Sequence, residues 1–370
     1  MSDNAVTSCF EGENLPDLGC IDCDIHPAVA GLDCLLPHLD EPWKTMAIER
    51  GLNRDSWDSS SFPPNVPALC RPDWRTSEGQ PGSRPEDLIR HGLEPFRSRA
   101  AILNPVYAVQ SIADEGMAVA FGKALNDWIA EEWLPFDRRL HASIVVTPQN
   151  PVAAAQEIER LAPNSRFVQV LMLSSSGLPL GRQYYWPIYE VASKHKLPIA
   201  IHCGGNYAFP PSSLGWQSFY VAEYVDHPNI FQAQILNIIT QGVFSKFPDL
   251  QFVCSESGFL WLPHFLWRAI KSWRGMRFET PWVHKSPSEI IRDHFRFTLQ
   301  PIDAPPTPEI FERVFEQIRS DEMILFSTDY PHHHFDGIRA LPSGISQTLA
   351  QKICVDNPLM TYPRLQELQR

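Results

Sequence analysis

Eight short apolar runs, separated by longer stretches with helical patterning, constrain this 370-residue chain more than any other feature. The runs are CIDCDIH (20–26), AAILNP (100–105), LHASIVV (140–146), RFVQVLML (166–173), PIAIHCG (198–204), LQFVCSES (250–257), FRFTLQP (295–301) and EMILFSTDY (322–330). Most are continuous rather than alternating, as strands covered on both faces must be, and strand–helix alternation is how a parallel α/β architecture reads. Helices are predicted over 112–133, 151–161, 184–196, 228–246, 258–273, 307–319 and near 344–352. A doubly wound sheet would alternate too, but it announces itself with a Gly-rich first turn, and none follows the first run. The prediction is an α/β fold, a (β/α)8 TIM barrel with long insertions over the C-terminal face. Residues 1–19 read as an N-terminal extension and 20–370 as one barrel domain, with cap-like insertions at 27–99, dense in proline, and 205–226, rich in aromatics. Loops of that length in a compact domain are normally functional.

Composition narrows the classes of partner. Hydrophobic residues make up 44% and charged residues 20%, enough apolar material for a large core. A net charge of −12 argues against nucleic acid and anionic membranes and favours a small-molecule substrate. No apolar run is long enough to span a bilayer, and the N-terminus lacks a signal-like pattern, so a cytoplasmic protein is expected. The eight cysteines are scattered and read as reduced thiols, the Cys20/Cys23 pair included.

In a barrel the chemistry sits where strands end and βα loops begin. Polar residues closing apolar runs are therefore the candidates. On the first run, period two puts Asp22, Asp24 and His26 on one face, and burying two carboxylates with an imidazole calls for a compensating cation. His202 closes the fifth run and Asp329 the eighth, which abuts the first once the barrel closes. Asp24, His26, His202 and Asp329 are the predicted metal ligands, a mixed set that suits zinc, manganese or ferrous iron. Glu256 closes the sixth run and joins the site as a ligand, a general acid or base, or an orienting group; with Asp329 it is the candidate catalytic residue. Asp22 and His332 are possible additional ligands. In the caps, Trp43, Trp57, Phe62, Trp74, Tyr207, Phe209 and Trp216 are candidate pocket lining, with Tyr207 and Trp216 foremost. Arg268, on the helix after the sixth run, is a candidate anchor for a substrate carboxylate.

These motifs, Asp24-x-His26, His202, Glu256 after FPDLQFVCS, and TDYPH carrying Asp329 and His332, jointly resemble the amidohydrolase superfamily. The resemblance is to the branch containing aminocarboxymuconate-semialdehyde decarboxylase and the dihydroxybenzoate decarboxylases, and it runs from Cys20 to about Tyr362. It implies a divalent metal, one or two per chain, and a homodimer, since oligomerisation is common in that branch. Those enzymes place a His on strand six where this chain has Glu256, and the two groups differ in resting protonation near neutral pH.

Three functions are compatible with this pattern. The first is a metal-dependent hydrolase or decarboxylase acting on a small organic acid, ester or amide, with the metal activating water or assisting decarboxylation. The second is a non-haem diiron monooxygenase on the same barrel, hydroxylating a hydrophobic secondary-metabolite intermediate; the chain is similar to the monooxygenase of the platensimycin-type pathway, and its carboxylate-rich site has donors for two irons. The third is a catalytically inactive barrel that only binds a ligand.

Overall fold

The computed structural model of the protein describes residues 19–369, except 54–69, 72–73, 76, 78, 207, 211, 213, 304, 333–340 and 343–344. Eight strands pair in parallel and in sequence order: β1 (Ile21–Ile25), β2 (Ala100–Leu103), β3 (Leu140–Val145), β4 (Phe167–Leu173), β5 (Ile199–His202), β6 (Phe252–Ser255), β7 (Phe295–Thr298) and β8 (Ile324–Leu325). Each falls within one of the predicted runs. β8 is short because the next amide, Phe326 N–H, donates to Ile353 O at 3.0 Å rather than to a neighbouring strand. The segment after β8 nevertheless closes the barrel onto β1. Cys23 N–H donates to Phe326 O at 2.9 Å, His26 N–H to Tyr330 O at 2.8 Å, and Asp329 N–H to Asp24 O at 3.1 Å.

Helices surround this sheet. Two of them, α1 (Trp43–Glu49) and α2 (Pro85–Leu88), lie in the long connection after β1. They are followed by α3 (Glu115–Trp128), α4 (Pro151–Leu161), α5 (Trp186–Lys194), α6 (Tyr220–Thr240) and α7 (Val243–Lys246), and then by α8 (Leu262–Met276), α9 (Pro287–His294), α10 (Glu309–Ile318), α11 (Gln347–Gln351) and α12 (Asn357–Thr361). Their starts follow capping chemistry. Asp114 accepts from Met117 N–H to open α3, and Asn150 accepts from Ala153 N–H with Pro151 at the first helical position of α4. Ser286 and Glu289 form a reciprocal capping box at α9, a helix the periodicity does not announce. The helix predicted from 228 begins eight residues earlier, at Tyr220, and Pro228 lies inside it. The last seven residues of the predicted excursion at 205–226 thus belong to α6. Among the described residues, no helix is long and apolar enough to cross a membrane.

The barrel interior is polar below its mouth. Asp22 takes Asp24 N–H and Thr328 N–H on one carboxylate oxygen, each at 3.1 Å, and the Thr328 hydroxyl on the other at 2.6 Å. Burial pushes its carboxyl up to about 7. Asp22 is therefore a clasp between β1 and the end of β8, not the extra ligand its position on the β1 face suggests. On β3, His141 is buried with Nδ1–H donating to Arg139 O at 3.1 Å, and burial lowers its pKa from 6.5 to about 4. The unfolded chain binds this proton near pH 6.5 and the folded chain only near 4, so the fold loses stability as pH falls through that window. Replacing His141 with Asn should flatten the loss by on the order of 3 kcal/mol, read as a difference in urea midpoints at pH 7 and pH 4. A parallel drop in both proteins would show that His141 is not the group responsible.

Candidate metal centre and acid–base site

Six of the predicted residues meet at the C-terminal mouth of the barrel: Asp24 and His26 from β1, His202 from β5, Glu256 after β6, and Asp329 and His332 after β8. All six are buried, from 0% exposed for Asp24, His26 and Asp329 to 8% for Glu256 and His332. His26 Nε2 lies 3.0 Å from Asp329 Oδ1, 3.3 Å from Glu256 Oε1 and 3.4 Å from Asp24 Oδ1. His202 Nε2 lies 3.2 Å from Glu256 Oε1 and 3.5 Å from Asp24 Oδ1. His332 Nδ1 is 2.6 Å from Asp329 Oδ1 and 3.5 Å from Glu256 Oε1, and its ring stacks on that of His26 with centroids 4.7 Å apart.

The other imidazole nitrogens settle which tautomers these rings use. His26 Nδ1 sits 2.8 Å from Asn104 O, and His202 Nδ1 sits 2.6 Å from Cys203 O. A carbonyl can only accept, so both Nδ1 atoms carry hydrogen and both Nε2 lone pairs point at the carboxylates. Lone pair faces lone pair unless positive charge lies between them. Consistent with this, Asp24 Oδ2, His202 Nε2, Glu256 Oε1 and Asp329 Oδ2 are buried with no hydrogen bond. Two four-residue donor sets, Asp24/His26/His202/Glu256 and His26/Glu256/Asp329/His332, each have ligand atoms within 4.8 Å of one another and share His26 and Glu256. The residues thus fit a divalent cation by geometry and by donor chemistry.

Where no cation supplies the charge, protons do. Burial pulls His202 down, but Glu256 and Asp24 outweigh it and lift it to about 10; for His332, Asp329 overcomes burial and lifts it to about 9. His26 is raised as well, against burial, by Asp24, Asp329 and Glu256. Burial pushes Glu256 up, and the neighbouring imidazoles, His202 first and then His26 and His332, more than reverse this and hold it well below the usual carboxylate range. Burial, then Glu256, raises Asp329.

Glu256 and Asp329 also share an unusual backbone, with φ of 59° and 55°. Left-handed conformations at non-glycine residues cost about 1–3 kcal/mol and persist only where the surroundings impose them. Here the Glu256 N–H donates to the Thr298 hydroxyl at 3.0 Å, and Asp329 N–H is held by Asp24 O. Thr298 is one supporting residue that sequence reasoning missed; Asn104 is another. Its amide nitrogen donates to Asp24 Oδ1 at 2.7 Å, and its carbonyl oxygen takes the Ser143 hydroxyl and, at 3.1 Å, Gln169 Nε2. The Tyr362 hydroxyl donates to Gln169 Oε1 at 2.9 Å, so a chain of buried hydrogen bonds runs from the C-terminal segment to the predicted ligand Asp24.

The predicted lining residues scatter. Trp74 is buried with its ring 5.0 Å from that of Tyr330, and the Arg71 guanidinium lies 4.3 Å from its ring centroid, so this part of the first insertion seats on the loop after β8. Cys70 bridges to His332 there. Trp43 packs against the core instead, beside Gly116 of α3. Phe209 closes a separate cavity of about 200 Å³ with Leu173, Ser175 and Tyr185. Trp216 is 60% exposed and donates to Asn206 O. Trp57, Phe62 and Tyr207 lie outside the described residues. Arg268 is not at the mouth: it is exposed on the outer face of α8, in a groove shared with Ile239 of α6 and Trp273. A helix after a barrel strand runs back along the outer wall, which carries a residue nearly two turns into α8 away from the site.

Comparison with known proteins follows the same lines. The chain is 25% identical over 242 residues to gamma-resorcylate decarboxylase of Polaromonas sp. JS666, an alignment covering 62% of this chain and 71% of that one. Gamma-resorcylate decarboxylase of Rhizobium radiobacter is 26% identical over 249 residues, with the same coverage. The fold matches that of a dihydroxybenzoic acid decarboxylase from Polaromonas sp. JS666, solved with bound manganese and the inhibitor 2-nitroresorcinol, at a TM-score of 0.64 and 20% identity over 95% of this chain and 98% of that one. It also matches an amidohydrolase from Mycobacterium avium subsp. paratuberculosis at a TM-score of 0.72 and 20% identity, over 93% of this chain and 99% of that one. Residues 21–364 match the family described as Amidohydrolase. That match runs from the first residue of β1 past α12, so it takes in every strand of the barrel and all six residues at its mouth, and the chain belongs to the amidohydrolase family.

Proposed function

We propose that this protein is a metal-dependent decarboxylase of a small aromatic acid. Asp24, His26, His202 and Asp329 would hold one divalent ion, manganese or zinc, and Glu256 would carry the proton. The observation that carries this reading is the set of buried carboxylate oxygens and imidazole lone pairs that meet with no hydrogen bond between them. The sequence relatives are decarboxylases of an aromatic acid, which supports the first of the three functions and gives the oxygenase alternative no support.

The bound metal would supply positive charge to fix a substrate carboxylate or phenolate. The protein's own residues do the rest. Glu256, protonated, gives its proton to the ring carbon bearing the carboxylate; the carbon–carboxylate bond then breaks, carbon dioxide leaves, and the bonding electrons stay with the ring. Glu256 regains a proton from solvent. Asp329, held by His26 and His332, stays ionised and keeps its partner imidazoles oriented. The left-handed backbone at residue 256 accompanies a carboxyl group that faces His26, His202 and His332.

Two measurements test this. Protein loaded with manganese should release carbon dioxide from 2,6-dihydroxybenzoate and leave resorcinol; hydrolysis of esters or amides without carbon dioxide release would sink the reading. Metal analysis of protein purified without added metal should find one divalent ion per chain, and two irons per chain would overturn it.

A further inference from the structure

Asp24 stands at the mouth of the barrel, yet the hydrogen bonds that hold it lead to the opposite end. Leu103 pairs with Ala142 and Ser143 with Gln169, so Asn104, one step beyond β2, lies beside Ser143 of β3 and Gln169 of β4. Their last partner is Tyr362, the residue that follows α12. Its segment seats on the N-terminal ends of the strands. Arg364 Nη1 donates to the carbonyl of Phe167, the first residue of β4, at 2.7 Å, and Asn357 Nδ2 to that of Ile324, the first residue of β8, at 2.9 Å.

The direction of each hydrogen bond follows from the Asp24 end. A carboxylate only accepts, so Asn104 turns Nδ2 toward Asp24 Oδ1, 2.7 Å away, and its own Oδ1 faces the interior. That oxygen accepts from the Ser143 hydroxyl and, at 3.1 Å, from Gln169 Nε2, which also donates to Ser143 Oγ at 2.8 Å. Gln169 Oε1 then needs a donor, and the Tyr362 hydroxyl supplies it at 2.9 Å. Every polar side-chain atom of these four residues is engaged, and all four are fully buried, so solvent does not reach to replace a missing partner. The carboxylate they lead to is the reverse: Asp24 Oδ2 is buried with no hydrogen bond. Asn104 thus fixes one oxygen of Asp24 and leaves the other without a protein partner. Its backbone oxygen also takes His26 Nδ1–H at 2.8 Å, so one residue aims both donors that β1 contributes.

We propose that Tyr362 is a positioning residue for the metal ligand Asp24: its hydroxyl is the terminal donor of a chain through Gln169 and Asn104 that holds the carboxylate in the orientation that accepts a divalent cation. The C-terminal segment thereby sets metal affinity from the far end of the barrel. This role rests on the reading, given above, that Asp24 holds the ion.

The readout is manganese affinity, measured by competition with a chelator at fixed pH. Tyr362→Phe keeps the ring and removes only the hydroxyl, leaving Gln169 Oε1 buried without a donor; it should weaken binding about tenfold, the scale of losing a supporting partner of a metal ligand. Gln169→Met cuts the chain one residue nearer the site and should weaken binding at least as much. Asn104→Ala should weaken it roughly 10–100-fold, and adding Tyr362→Phe should cost nothing further, because the hydroxyl acts only through Asn104. A purely structural Tyr362 would lower the thermal midpoint of the metal-free protein and leave the affinity of the folded protein unchanged. That result overturns the proposal, as do additive losses in the double variant or unaltered affinity in Gln169→Met. If Tyr362→Phe does not fold, Gln169→Met, alone and combined with Asn104→Ala, decides by the same criteria. Unmodified protein that binds no manganese overturns this role and the metal reading together. Manganese binding without release of carbon dioxide sinks only the decarboxylase reading, and the affinities still decide the role of Tyr362.

Discussion

Replacing Glu256 with Gln is expected to lower kcat by roughly 10²–10⁴-fold, the range associated with loss of one positioned proton-transfer group. KM should change little, because the amide has nearly the shape of the carboxyl group it replaces. Metal content should stay at that of the parent protein. Asp24, His26, His202 and Asp329 remain, and the tautomers that aim the two histidines are set by Asn104 O and Cys203 O rather than by Glu256. Steady-state kinetics with metal analysis on the same preparation checks all three. Turnover surviving the change would remove Glu256 from proton transfer; loss of the metal would make it a ligand instead. The substitution matters because relatives of the resembled branch carry a histidine here. A carboxyl group has to be protonated to act as an acid near neutral pH, whereas the imidazoles around Glu256 hold it ionised.

Metal uptake should release protons, and affinity should fall about tenfold per pH unit for each proton displaced. The sign follows from the imidazoles. Without metal, His202 holds a proton up to about 10 and His26 is raised as well, and an ion bound to a ring nitrogen must displace the proton there. Below that range, lower pH favours the proton over the metal. Calorimetric titration with manganese in two buffers of different ionisation enthalpy counts the protons released, and competition with a chelator from pH 6 to 8 gives the slope. Pairing of the metal with rings that are already neutral would show no release and a flat affinity, and would contradict the charge balance described for the site.

Much of this was legible in the chain because barrel strands are continuous apolar runs, so a polar residue at the end of one stands out. That is why Asp24, His26, His202, Glu256 and Asp329 could be picked out, and the structure brings them together with His332. Asp22 misleads because period two gives the face a residue occupies but not its depth: one step below the mouth, the backbone and hydroxyl of Thr328 take both its oxygens. Asn104 ends the second run just as His202 ends the fifth, and Gln169 interrupts the fourth, so both carried a signal that went unread. Tyr362 and Thr298 carried none, since their partners depend on register and closure. Pro228 looked like the start of a helix; tertiary packing of His227, Ile230 and Phe231 extends α6 back to Tyr220. Arg268 has no periodic cue that separates the mouth of a barrel from its outer wall.

The seam between β1 and the end of β8 joins residues 303 positions apart, His26 and Asp329. Until the last strand arrives, the centre lacks Asp329 and His332, so all six residues cannot meet in a partly folded molecule. A cation that binds only the joined barrel would draw the chain toward completion by mass action. Retained metal would then certify that the first and last strands of the barrel have found each other, and catalysis could not begin before the barrel had closed.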